Sequence, residues 1–314
     1  MSTKSYKVLF IVGSGRSGST VLDQTLGRIT GAFSCGELRG IWRRGVLEGT
    51  ACLCGRPLLE CHAWGAILER ARPRSKSLVD WAREVVTLQG RILRLRRLPL
   101  NLSAGAGLGT AHRRASLVRY GGWLTDLHDA IASTQGASLV VDSSKSAVDA
   151  VVMAGSTSEE VFFVHLVRDP RGVAFSWQRP KREHGSADSR VMRRRPAWLS
   201  SLRWLVRNAS AEFVGRLVPA GRWMRVRYED FAREPERVVR DILAMLAVDE
   251  ALNPVVGDRV VVAQESHMAW GNPARRAGGP ILIRPDERWR TEMKPRDRAG
   301  ATLMALPLLR RYGY

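Results

Sequence analysis

A glycine-rich stretch, Gly13-Ser14-Gly15-Arg16-Ser17-Gly18-Ser19-Thr20, follows the apolar run Lys7–Val12 and runs into a helical pattern over Thr20–Ile29. A strand, a glycine turn and a helix start together make an anion cradle. Backbone N–H groups point inward, glycines let them approach closely, and the helix dipole favours negative charge. The spacing is close to G-x4-G-K-[ST], with Ser19 standing where that pattern needs Lys. The β- and γ-phosphates of a nucleoside triphosphate would lack their main cation here, and Arg16 is the cation inside the loop.

Three further groups carry chemistry. Val167-Arg168-Asp169-Pro170 ends a strand and opens a helix, and Ser176 follows Arg168 by eight residues, so both can converge on one phosphate. Asp142-Ser143-Ser144-Lys145-Ser146 ends another strand. Lys145 is one of six lysines, and its ammonium suits charge on a leaving oxygen. Cys35-Gly36-Glu37-Leu38-Arg39 places a carboxylate shortly after the loop, a group able to take a proton beside a bound anion. Two segments stay open. Tyr228, in Arg227-Tyr228-Glu229-Asp230-Phe231, either touches a nucleoside or is packed core. The run from His267 through Gly271, Asn272, Pro273 and Arg275 is either a turn before the last helix or a tail offering N–H groups and Arg275 to a phosphate.

Four short apolar runs must position these residues: Lys7–Val12, Ser138–Val141, Val161–Val167 and Trp223–Arg227. They are near-continuous rather than alternating, as strands buried on both faces are. Helical patterns lie between them, over Thr20–Ile29, Leu78–Leu98, Ser116–Thr134, Pro170–Gln178, Trp198–Leu217 and Glu234–Leu246. The alternation predicts an α/β fold with a doubly wound parallel sheet flanked by helices, and a single domain over 1–314. Residues 40–75 read as irregular, 101–115 as a flexible loop, and the Arg-rich 179–197 as a mobile loop or lid.

The chain has 314 residues, 45% hydrophobic and 25% charged, which excludes wholesale disorder. No run is long and apolar enough for a spanning helix, and the polar start does not read as a secretion signal, so the expected compartment is the cytoplasm. The net charge of +20 is almost all arginine. It fits a polyanionic partner or a multiply phosphorylated cofactor, and equally a GC-rich coding bias. No nucleic-acid signature stands out, so nucleic acid is not an expected partner. Gln89–Leu98 reads as a basic amphipathic helix. It would either lie on an anionic membrane, at the inner face, or cover core with its Arg stems. Cys52, Cys54 and Cys61 precede His62, and three thiolates with His62 or Cys35 would complete a four-ligand set; reduced, packed thiols are the favoured reading over metal or a Cys54–Cys61 disulfide.

The loop Gly-x-x-Arg-Ser-Gly-Ser-Thr resembles the 5′-phosphosulfate loop of sulfotransferases that use 3′-phosphoadenosine 5′-phosphosulfate (PAPS), above all the carbohydrate and tyrosylprotein branch and its bacterial relatives. The resemblance runs from Lys7 to about Trp289. It implies a P-loop-like fold, with Gly15, Arg16, Ser17, Gly18, Ser19 and Thr20 on the phosphosulfate. Arg168 and Ser176 would take the 3′-phosphate, Tyr228 would lie near the adenosine, and Asn272 and Arg275 would close over the nucleotide. Glu37 would be the general base and Lys145 the partner of the bridging oxygen, with Arg16 as a further cation and no metal required. Residues 40–135 and 179–220 match nothing in the family and are expected to form the acceptor side. The acceptor would be a sugar, glycolipid or natural-product hydroxyl in preference to a peptide tyrosine. Two other readings compete: a P-loop kinase or NTPase, which requires Mg²⁺-dependent ATP turnover, and a non-enzymatic polyanion binder, which requires steep salt dependence without preference for a 3′-phosphate.

Overall fold

The computed structural model describes residues 6–105, 109–155, 160–180, 194–257, 259–262, 265–269 and 280–314. Its centre is β1 (Lys7–Gly13), which leads through the glycine loop into α1 (Ser19–Leu26) and β2 (Ala32–Gly36). Helices α2 (His62–Ala71), α3 (Leu78–Ile92), α4 (Leu98–Gly105) and α5 (Ala111–Gln135) come before β3 (Leu139–Lys145) and α6 (Ala147–Ala154). Next come β4 (Glu160–Val167), α7 (Pro170–Gln178), α8 (Ala197–Gly215), β5 (Trp223–Arg227), α9 (Tyr228–Arg233) and α10 (Pro235–Met245). A small antiparallel sheet of β6 (Val255–Val256), β7 (Val260–Val261) and β8 (Ile281–Leu282) precedes α11 (Trp289–Glu292) and α12 (Pro295–Arg311).

The main sheet is parallel with strand order β2-β3-β1-β4-β5. In β1, Val8, Phe10 and Val12 enter one core, with Trp64, Trp81 and Tyr120 of the α2, α3 and α5 layer. Leu9 and Ile11 enter the other, with Leu22 of α1 and Ile242 of α10. Both faces of the strand are therefore apolar, which is why its sequence shows no alternation. The chain leaves β1 toward β2 and β3 on one side and β4 and β5 on the other. Loops at the carboxyl ends of β1 and its neighbours therefore meet at a topological switch point.

The four strands expected from sequence are present, and β2 is a fifth. Its sequence AFSCG is too short and too poor in large apolar residues to stand out. Residues 40–75 are more ordered than expected: a π-helical stretch Ile41–Leu47, a 3₁₀ turn Leu58–Glu60, and α2, which buries Trp64, Ile67 and Leu68. The expected helix Leu78–Leu98 ends at Ile92, and a new helix opens at Leu98, where Pro99 fits because a first turn needs no N–H. Gln89–Leu98 is thus not one amphipathic helix, and its Ile92, Leu93 and Leu98 are buried. The expected loop 101–115 is largely helical. Asn101 is fully buried, donates to the Ile92 carbonyl (2.7 Å) and accepts from Arg113 (2.8 Å). Residues 106–108, and 181–193 of the Arg-rich segment, lie outside the described residues. Among the described residues no helix is long and apolar enough to cross a membrane.

Candidate active site

The glycine loop turns tightly at the end of β1. Gly13, Arg16 and Gly18 all have positive φ (142°, 71° and 90°). A Cβ on Gly18 would lie 2.4 Å from the Tyr228 ring, and one on Gly13 would lie 2.5 Å from the Leu166 carbonyl oxygen, so backbone and ring press against the loop where only hydrogen fits. Ser14, Ser17, Ser19 and Thr20 are buried. The Ser17 hydroxyl is buried with no hydrogen-bond partner among the described residues, an orphan that an anion's oxygen would satisfy. The first N–H groups of α1 have no intrahelical acceptor and face the same turn.

Every strand of the main sheet delivers a group to this end. From β2 comes Glu37, one residue past the strand and just ahead of the 3₁₀ turn Leu38–Gly40. From β3 comes Lys145, a non-glycine residue at φ 65° whose ammonium pairs with Glu37 Oε1 at 2.7 Å and donates to the Ser143 carbonyl at 2.8 Å. Both strands slip register here. Between Ser34 and Gly36 in β2, and between Asp142 and Lys145 in β3, an extra residue is accommodated, and the side chains beyond are re-aimed. The backbone of Arg39 donates to Ser144 Oγ (2.9 Å), and Ser144 in turn donates to Asp142 (2.6 Å), which ties the Glu37 turn to β3.

From β4 comes Arg168, 6% exposed. Its guanidinium donates to the Arg16 carbonyl (3.3 Å) and the Asp286 carbonyl (2.9 Å), pairs with the Asp286 carboxylate (3.3 Å), and lies 4.4 Å over the Tyr228 ring. Burial raises the Asp286 carboxyl, but a hydrogen bond from Arg288 and the charges of Arg168 and Arg288 hold it down to about 2. Ser176 is buried in α7, whose first turn is capped by Asp169. Tyr228, just past β5, is wedged between Gly18 and Arg168, and its hydroxyl donates to the Arg284 carbonyl (3.2 Å). It walls the cleft and fixes both neighbours. Arg16 stacks on Trp177 (4.9 Å to the ring); burial lowers its pKa while Glu37 raises it.

The structure thus brings together Glu37, Lys145, the loop 13–20, Arg168 and Tyr228. Asn272 and Arg275 lie outside the described residues. Three groups were not expected. Arg207 Nη1 and Trp177 each lie 3.6 Å from where a Gly15 Cβ would be, and Arg195 stacks on Trp177 at 3.8 Å. Arg207 sits mid-helix, one turn after Trp204, in a stretch with no motif, so only the fold reveals it. A surface concavity lined by Tyr6, Arg70, Asp129 and Ser138 lies at the opposite, amino-terminal end of the strands, away from these groups.

Asp23 joins α1 to the strand ends, accepting from Ser34 (2.5 Å) and from Ser143. Burial raises its carboxyl to about 7, against the lowering effect of those two hydroxyls. A proton there removes a negative charge from behind the anion cradle. Because the folded-state pKa lies above the unfolded value, the stability this group contributes is full below about pH 4 and is lost as pH rises through about 7. Burial also raises Asp142, to about 6, which adds to the same slope. Asp23→Asn is therefore expected to reduce the fall in melting temperature between about pH 5 and about pH 8. An unchanged slope in thermal denaturation would show that Asp23 does not titrate in that range.

Residues 110–251 match the sequence model of the sulfotransferase family, a span that takes in Lys145, Arg168, Ser176 and Tyr228 and begins after the loop and Glu37. No curated protein matches the chain. Among solved structures, the sulfotransferase domain from the curacin biosynthetic pathway is similar, with a TM-score of 0.52 and 18% identity over 98% of each chain. The sulfotransferase domain of the Synechococcus PCC 7002 olefin synthase aligns with 100% of this chain and 96% of its own, at 24% identity and a TM-score of 0.49. The parallel sheet, its strand-end loop and the flanking helices thus share the P-loop-like fold of the curacin-pathway sulfotransferase domain.

Proposed function

We propose that the protein transfers a sulfuryl group from PAPS to an acceptor hydroxyl. The observation that carries this reading is the convergence of Glu37, Lys145 and Arg168, from three different strand ends, on a glycine loop whose buried Ser17 hydroxyl has no partner among the described residues. The family match and the fold support sulfuryl transfer in general. The donor supplies an activated S–O bond to a phosphate oxygen that can leave with the electron pair. Gly15, Ser17, Gly18, Ser19 and Thr20 hold the phosphosulfate by backbone N–H groups and hydroxyls, with Arg16 as their cation. Arg168 and Ser176 hold the 3′-phosphate. Glu37 takes the acceptor's proton as oxygen bonds to sulfur, and Lys145 stabilises charge on the leaving oxygen. The Glu37–Lys145 pair must part for this, each keeping one side of the reacting atoms.

Residues 40–135 and 179–220 form the acceptor side of one domain in this reading. Glycolipid, sugar or natural-product hydroxyls are the proposed acceptors, and the first of these would bring the protein against an anionic membrane surface. Calorimetric titration with adenosine 3′,5′-bisphosphate tests the donor, with adenosine 5′-monophosphate and ATP as controls. Binding is expected to require the 3′-phosphate and to weaken by about 10- to 100-fold in Arg168→Ala, the range of hydrogen bonds to a charged group. Equal affinity for all three nucleotides would overturn the reading.

A further inference from the structure

We propose that Cys52, Cys54, Cys61 and His267 form a structural zinc site. Their four ligand atoms lie within 4.8 Å of one another. His267 Nδ1 is 3.4 Å from Cys61 Sγ and 4.0 Å from Cys52 Sγ. A tetrahedral zinc with ordinary bond lengths sets such S···N edges at about 3.6 Å and S···S edges at about 3.8 Å, so the donors need only small adjustments.

The surroundings are built to hold these donors. The loop doubles back through an antiparallel bridge between Ala51 and Pro57, with Gly55 at φ 89° in the turn after Cys54. That reversal makes the short C-x-C spacing workable, because Cys52 and Cys54 then approach from two sides of one turn. Cys61 enters from the start of α2. The His267 segment is fixed on both sides: the Leu53 N–H donates to the Met268 carbonyl (3.1 Å), the Ala269 N–H to the Cys35 carbonyl (3.0 Å), and the Trp64 indole to the His267 carbonyl. The ring's other nitrogen, Nε2, faces Glu265 at 3.5 Å, the carboxylate–histidine arrangement that orients a metal-ligating imidazole. Three sulfurs and a nitrogen match the Cys₃His set of structural zinc sites, and four protein ligands leave no open position for chemistry. Such an ion would cross-link the 52–61 loop to a segment more than 200 residues away in sequence, beside the strand that carries Glu37.

His62 and Cys35 are not the fourth ligand. The His62 ring only packs edge-on against His267 (4.5 Å between centroids), and Cys35 is buried within β2. The favoured sequence reading of packed thiols did not anticipate His267, because nothing in the sequence marks it as a neighbour of the cysteines.

The test is metal analysis of the full-length protein, purified without chelator or added metal, with cobalt substitution as a second readout. About one zinc per chain is expected. The cobalt form is expected to show tetrahedral d–d bands with thiolate-to-cobalt charge transfer. Losing a ligand should cost more than losing an outer-shell partner, so His267→Ala is expected to weaken zinc retention against a competing chelator by about 100-fold or more, whereas His62→Ala keeps the metal. Metal well below one per chain, with thiols that titrate freely or are disulfide-bonded, would overturn the proposal. So would a cobalt spectrum without thiolate charge transfer, and neither result depends on a variant folding.

Discussion

Glu37→Gln is expected to lower sulfuryl-transfer turnover by about 10²–10⁴-fold, the usual share of a positioned general base. Affinity for adenosine 3′,5′-bisphosphate is expected to stay within about threefold of wild type, because an interaction specific to the transition state leaves ground-state binding alone. The geometry allows this separation. The amide is nearly isosteric and its carbonyl can still accept from Lys145, now 2.7 Å from Glu37 Oε1, so the ammonium keeps its anchor on the Ser143 carbonyl. The proposed nucleotide contacts come from the loop after β1 and from Arg168 on β4, with β3 between the Glu37 turn and β1. What Gln cannot do is take the acceptor's proton. The measurement is steady-state transfer from labelled PAPS to an acceptor found by screening, alongside calorimetry on the same variant. Wild-type turnover would remove Glu37 from the mechanism. Parallel loss of turnover and affinity would instead make it a support for the nucleotide site.

The parts of this arrangement that were legible in sequence share one property: a local signal with a mechanical cause. The β1 run is continuously apolar because both of its faces are covered, and Pro170–Gln178 begins with a proline suited to a first turn; the helix has those same bounds in the structure. Loop, Arg168, Lys145 and Glu37 stood out because each follows a strand or a glycine turn. The illegible parts depend on long-range packing. Strand β2 exists because β3 pairs with it, not because AFSCG favours a strand. The bulges at Cys35 and at Ser143–Ser144 break the alternation from which side-chain direction is normally read, so the 2.7 Å Glu37–Lys145 contact could not be inferred from spacing. Arg207 and His267 reach their partners only through tertiary contact, and no window of sequence around either carries that information. Composition misled in the opposite direction at 40–75, where buried Trp42 and Trp64 order a cysteine-bearing segment that reads as irregular.

Gly18→Ala is expected to weaken adenosine 3′,5′-bisphosphate binding by about 10-fold or more, from two separable costs. A left-handed conformation costs an L-residue about 1–2 kcal/mol, and Gly18 sits at φ 90°. The added methyl also meets Tyr228 Cδ2 at 2.4 Å and Cε2 at 2.8 Å, which no real contact tolerates. The ring cannot simply swing away, since its hydroxyl is held by the Arg284 carbonyl and its face by the Arg168 guanidinium. Overpacking of this kind costs about 1–3 kcal/mol, so the two together reach about 2–5 kcal/mol, shared between stability and loop geometry. Removing the ring in Gly18→Ala/Tyr228→Ala should relieve the steric part and leave the backbone part. The double variant is then expected to bind better than the sum of the two single losses allows, a coupling that contacting residues show and distant ones do not. Calorimetry and thermal denaturation on the four proteins of this cycle separate the costs. Strict additivity would mean that Tyr228 does not set the loop's shape, and wild-type binding in Gly18→Ala would mean that the anion does not sit in the turn at all.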